Sequence, residues 1–166
     1  GRDMKKLVDK KTAGLNVPVA VIPNWAEVED VQPLKREQNE LIRELGLSEK
    51  LIVLHAGNIG HPTDVETVVE CLHLLRDDES FHFVFIGSGV KKKQLETALR
   101  RYELKNLTLL EPRPRTDQSE FLNACDIGLV SLVPGMYGAA MPSKTYNIMA
   151  AGKPVLALTD EGSELA

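Results

Sequence analysis

Apolar residues in this chain fall in short unbroken runs, separated by stretches in which they recur every three or four positions. Leu51–Ala56, Phe81–Ile86, Leu107–Leu110, Ile127–Leu132 and Val155–Leu158 are runs of strand length, the pattern of strands buried on both faces in a parallel sheet. Val17–Ile22 predicts one more strand, followed by a turn at Pro23-Asn24-Trp25. The intervening periodicity predicts helices over Asp3–Lys11, Arg36–Leu47, Thr63–Leu75, Lys91–Tyr102 and Gln118–Cys125. A last helix runs from an N-cap at Ser143 to a stop at Gly152, with Pro154 two residues beyond, and Gly162-Ser163-Glu164 opens what reads as another.

Alternation of buried strands with helices of about ten residues predicts an α/β fold with a doubly wound, mostly parallel sheet. In such sheets the ligand crevice lies at the carboxyl ends of the strands, where the loops of Gly57-Asn58, Gly87 and Gly138 all fall.

The stretch Gly135–Lys144 carries the candidate chemistry. Glycines and alanines let its backbone approach a ligand, Ser143 starts a helix, and Lys144 falls in the first turn. A cation there opposes the helix dipole unless an anion lies between them, so a phosphate site is expected. A surface lysine behind an ordinary loop accounts for the same residues. At the Gly57–Pro62 loop the following helix opens with Asp64 and Glu66, which makes that helix start a poor phosphate site.

With 166 residues, 43% hydrophobic and 27% charged, the chain suits one domain with its own core, residues 1–166. Its first residues lie inside a helical pattern and its last ones open a new one, so a piece of a longer protein is expected. A formal charge of −4 and 5% aromatics argue against a nucleic-acid partner, and Lys91-Lys92-Lys93 reads as a solvated helix start. Cys71 and Cys125, in apolar helical contexts without a Cys-x-x-Cys pairing, read as buried free thiols of a reducing cytosol. No apolar run approaches the ~18 residues of a membrane span and no leader pattern opens the chain, so a cytoplasmic location is expected.

Dinucleotide and Walker fingerprints are absent, and the run ending in His55-Ala56 lacks the carboxylates of a phosphoacceptor domain. His55, His61, His73 and His82 do not fall at ligand spacing, and no metal site is expected.

The segment Tyr146-Asn-Ile-Met-Ala-Ala-Gly-Lys-Pro-Val155 resembles the Lys-x-x-Glu-x-Met-Ala-x-Gly-x-Pro-Val pattern of retaining glycosyltransferases of family 4. Ile22-Pro23-Asn24, Ala56-Gly57-Asn58, Ile86-Gly87-Ser88-Gly89 with Leu95, and Asn106-Leu107-Thr108 agree with it in order. Pro-Ser-Lys and Met-Ala-Ala-Gly-Lys-Pro-Val are similar to the bacterial polysaccharide branch that includes colanic-acid and fucosamine transferases.

This resemblance implies the C-terminal, Rossmann-like half of a two-domain GT-B enzyme, which holds a nucleotide-sugar donor, UDP- or GDP-linked, and needs no resident cofactor. It implies that Lys144 meets the donor diphosphate and that Gly57, Asn58, Gly87, Gly138 and Ser143 belong to the donor loops. Arg113 would flank the nucleobase, and Glu164 would lie near phosphates and sugar. Asn147 stands where the family places the glutamate that binds the ribose, and Ala139 replaces the glutamate eight residues upstream. The Gly57–Pro62 loop lacks the arginine and lysine that many members carry. No catalytic residue is assigned. The expected acceptor is a glycan or a lipid-linked glycan, met by an N-terminal domain, with peripheral membrane association of the longer protein. Two other readings stay open: an inactive GT-B-like nucleotide-binding or interaction module, and a nucleotide-sugar epimerase.

Overall fold

The structure, a computed structural model, describes residues 1–166. Five strands, β1 (Leu51–Ala56), β2 (Phe81–Ile86), β3 (Leu107–Leu110), β4 (Ile127–Ser131) and β5 (Val155–Leu158), form one sheet in the order β3-β2-β1-β4-β5. Every pairing is parallel, as the expected α/β fold requires. Parallel neighbours need crossovers, and helices supply them on both faces.

On one face, α2 (Glu40–Glu44), α5 (Gln118–Asn123) and α6 (Lys144–Ala150) cover Ile52, Leu54, Val84, Ile86 and Val130. On the other, α3 (Val65–Leu74) and α4 (Lys92–Arg101) cover Val53, Phe83, Phe85 and Leu129. The period of two along each strand therefore sends alternate residues to two separate cores. Gly128 lets α6 lie close on β4, since a Cβ there would come within 2.5 Å of the Ile148 side chain.

Several elements differ from the sequence expectation. Val17–Ile22 is no strand: both sheet edges are held by β3 and β5, and the segment runs without a ladder partner, with Ile22 78% exposed. Pro23-Asn24-Trp25 forms no turn, and the turn comes at Val28–Asp30. The helix expected over Arg36–Leu47 breaks into a single 3-10 turn (Arg36–Gln38) and α2. Buried Asn39 makes the break, because its side chain caps Ile42 N at 3.1 Å and donates to Glu120 O at 2.8 Å. Gly162-Ser163-Glu164 forms turns without a helix.

Lys91 and Lys92 are not a solvated helix start. Their side chains are 14% and 13% exposed, and they donate to Thr63 O and Leu110 O while pairing with Glu66 and Glu111. Cys125 is buried as expected, whereas Cys71 is only half-buried. The first helix, α1 (Arg2–Lys11), has the expected place in the chain.

Arg36 and Asp126 anchor the entry of the chain into the sheet. The guanidinium binds both carboxylate oxygens, at 2.6 and 2.7 Å, and donates to Leu47 and Lys50 carbonyls, while the carboxylate also accepts from Ile52 N at 2.8 Å. Nη1 alone serves the carboxylate while Nη2 serves the carbonyls, so the charge-assisted pair holds two loops at once.

Candidate functional site

Strand order reverses between β1 and β4, and there the sheet opens. The two strands pair only at Val53 with Ile127 and Leu54 with Gly128, so beyond that point their carboxyl ends are not paired with each other. A cleft of about 600 Å³ lies over these ends. Its walls include Gly57 and Asn58 after β1, Gly87 and Ser88 after β2, Arg113 after β3, Gln118 and Phe121 of α5, and Ser143, Lys144 and Asn147 at the start of α6.

Close approach requires the glycine at 87, and a left-handed backbone requires the one at 57. A Cβ on Gly87 would lie 1.9 Å from the Gly57 carbonyl oxygen, and one on Gly57 would lie 3.5 Å from Lys144 Nζ, with φ of +152° and +124° respectively. Backbone bonds from Gly57 N to Ile86 O (2.8 Å) and from Ile59 N to Ser88 O (2.8 Å) then draw the β1 and β2 loops together as the cleft floor.

Charge in the cleft is one-sided: Arg113 and Lys144 line it, and no carboxylate does. Arg113 is loosely paired, with Glu44 at 3.9 Å and Glu120 at 3.7 Å. Lys144 has instead a neutral partner, donating to His55 Nε2 at 3.0 Å. His55, the penultimate residue of β1, is fully buried and stacks on Phe85 with ring centres 5.1 Å apart. Burial first and the Lys144 charge second push its pKa down to about 3, so the imidazole is neutral at ordinary pH. An ammonium has only protons to give, which leaves Nε2 as acceptor and the ring proton on Nδ1. No hydrogen bond of good geometry reaches Nδ1, and the nearby Asn58 and Leu129 backbone offsets only part of the fall in pKa. Burial also lowers Lys144, to about 8.

Of the residues singled out from sequence, seven meet here: Gly57, Asn58, Gly87, Arg113, Ser143, Lys144 and Asn147. Gly138 and Glu164 do not line the cleft. They lie under α1, where a Cβ on Gly138 would sit 3.2 Å from Asp3 O, and Glu164 N donates to the buried Asp3 carboxylate at 2.6 Å. Ser143 holds the N-cap position, but its side chain makes no capping bond. Nor are all loop amides free, since those of Gly135 and Tyr137 donate to the Asp160 carboxylate.

Sequence reasoning missed Gln118 and the His55–Lys144 contact. A histidine inside an otherwise apolar strand, one residue from a glycine loop, was the signal for the second. A groove of similar size between α3 and α4 lies on the flank of the sheet, and it mixes Glu66 and Glu70 with Lys93 and Arg101. It has no one-sided charge to select an anion.

Residues 37–164 match the family described as Glycosyl transferases group 1. The chain belongs to the group 1 glycosyltransferases. It is 34% identical to WbjE of Pseudomonas aeruginosa, described as a probable glycosyltransferase, over all of this chain and 41% of that protein. It is 31% identical to WcaI of Escherichia coli strain K12, assigned by name to colanic acid biosynthesis, over 98% of this chain and 40% of that protein. The chain thus spans about two-fifths of the length of these curated relatives.

Among solved structures, HepE of Anabaena in complex with UDP and glucose superimposes with a TM-score of 0.72 at 19% identity, over 93% of this chain and 41% of that one. WaaG, a glycosyltransferase of lipopolysaccharide biosynthesis, gives 0.71 at 17% identity, over 92% of this chain and 42% of that one. Identities this low establish the fold alone, and that fold is the Rossmann-like C-terminal half of a GT-B glycosyltransferase. None of the group 1 domain's helices is long and apolar enough to cross a membrane.

Proposed function

We propose that this group 1 glycosyltransferase domain binds the donor of a retaining enzyme, one that moves a sugar from a nucleoside diphosphate to a glycan or lipid-linked acceptor. The observation that carries the proposal is the cleft at the switch point, lined by Lys144 and Arg113, free of carboxylates and floored by glycines through which backbone approaches the opening. An anion such as a diphosphate is the complement of that surface. HepE, of the same fold, has been crystallised with UDP and with UDP-glucose.

In this reading Lys144 neutralises the leaving diphosphate, Asn147 accepts a ribose hydroxyl and Arg113 flanks the base. The donor is UDP- or GDP-linked and no cofactor is needed. Gly138 and Glu164 reach the sugar only if α1 moves off them. Acceptor binding and any membrane association belong to the longer protein.

A second reading has its own support. Asn147 and Ala139 stand where both family glutamates would be, which favours a binding module without transfer activity. Titration of this chain with UDP, GDP, ADP and dTDP, followed by a transfer assay on the longer protein with the best-binding donor, tests both. Binding with turnover is expected. Absence of binding to every diphosphate overturns the donor-site reading, and binding without turnover by the longer protein overturns the enzymatic one.

A further inference from the structure

Lys144 belongs to α6, which covers one face of the sheet, while His55 points into the core of the other face beside Phe85. They meet at 3.0 Å only because β1 and β4 stop pairing beyond Leu54 and Gly128, which opens a gap at the sheet's end. A lysine has four rotatable side-chain bonds, and no carboxylate within 4 Å holds this one. The one polar side chain that bonds its ammonium is an imidazole that is itself fully buried and stacked.

We propose that His55 is a positioning residue: as a buried neutral acceptor it holds the Lys144 ammonium at the cleft floor, oriented toward a bound diphosphate. This rests on the donor-site reading above. A carboxylate in the same place would fix the lysine as well but would cancel the charge the ligand needs. A neutral acceptor fixes the lysine and leaves its charge whole, and it takes one of the three ammonium protons, leaving two for phosphate oxygens. Preorganisation of this kind raises affinity by removing the cost of ordering the side chain on binding.

Ionisable groups lining this space are few: Lys144 from α6, His55 from β1 and Arg113 after β3. A neutral hydrogen-bond acceptor favours the charged form of the lysine and works against the burial that lowers its pKa.

The test uses His55→Phe, which keeps the stack on Phe85 and withdraws the acceptor, and His55→Gln, which returns an acceptor near the Nε2 position. Affinity is measured for the tightest-binding nucleoside diphosphate of the four and for its parent nucleoside. His55→Phe is expected to weaken the diphosphate about tenfold while leaving the nucleoside within twofold, and His55→Gln to recover most of the loss. In a Lys144→Ala background His55→Phe should cost nothing further. Equal losses for nucleoside and diphosphate, or a full loss persisting in Lys144→Ala, would overturn the proposal. Independently of any ligand, NMR titration of Lys144 Nζ should give a lower pKa in His55→Phe than in the parent chain, and an unchanged value overturns the contact. If the parent chain binds no nucleotide, the donor reading fails while this titration still judges His55. Should His55→Phe not fold, His55→Asn, whose amide falls short of Nζ, takes its place with the same expectations.

Discussion

The carbonyl oxygen of Gly57 lies 1.9 Å from the place a Cβ would take on Gly87. Two loops from neighbouring strands thus touch through backbone alone, and the cleft floor has the depth that contact allows. At Gly135, by contrast, φ is +87° but an added Cβ meets nothing within 4 Å. Gly135→Ala should therefore cost only the conformational term, ~1–2 kcal/mol. Gly87→Ala meets backbone that cannot swing aside, and it should cost well above ~2 kcal/mol or prevent folding. Chemical denaturation of both variants checks the order, and equal costs would show that the two loops separate freely.

Lys144→Ala removes the cleft's cation that has no carboxylate partner. A charge-assisted hydrogen bond contributes ~1.5–3 kcal/mol, so nucleoside diphosphate affinity should fall roughly ten- to a hundredfold. Calorimetric titration that finds unchanged affinity would remove the phosphate site from this helix.

The same lysine sets an alkaline limit. With its pKa lowered to about 8, it loses its proton well below the usual lysine range, and diphosphate affinity should decline as pH rises through that value. Lys144→Arg, charged throughout, should abolish the decline. A profile flat from pH 7 to 9.5 in the parent chain would contradict the assignment.

Acid should destabilise the fold through His55. Its folded pKa of about 3 lies below the ordinary 6.5, so between these values the unfolded chain binds the extra proton and stability falls as pH falls. His82, also lowered by burial, adds to the same slope. Each group contributes at most ~1.4 kcal/mol per pH unit across its window. Denaturant midpoints at pH 7, 6 and 5 should decline in the parent chain and less steeply in His55→Phe.

At the ribose position, Asn147→Glu restores the family's residue. It should hold or tighten a ribonucleoside diphosphate and sharpen its preference over the 2′-deoxy form. Identical responses of the two ligands would place Asn147 elsewhere.

Periodicity alone was enough to find the five sheet strands and the two-sided cover of helices, because a strand buried on both faces must be apolar throughout. The decamer ending in Val155 marked the family, and the cleft glycines Gly57 and Gly87 were legible because each directly follows a strand. Other features depended on partners distant in the chain. Val17–Ile22 has strand composition, yet it forms no ladder with either outer strand, β3 or β5. Asn39 breaks a periodic helix because Glu120, 81 residues away, offers a carbonyl. Gly138 and Glu164 match the family pattern by position, but α1 lies over them and the buried Asp3 holds the backbone of Glu164. His55 and Lys144, 89 residues apart, meet only where β1 and β4 part. Local sequence specifies which residues prefer burial and where the backbone must turn. Which side chain neutralises, caps or holds another is decided by the packing of segments that only the folded chain brings together.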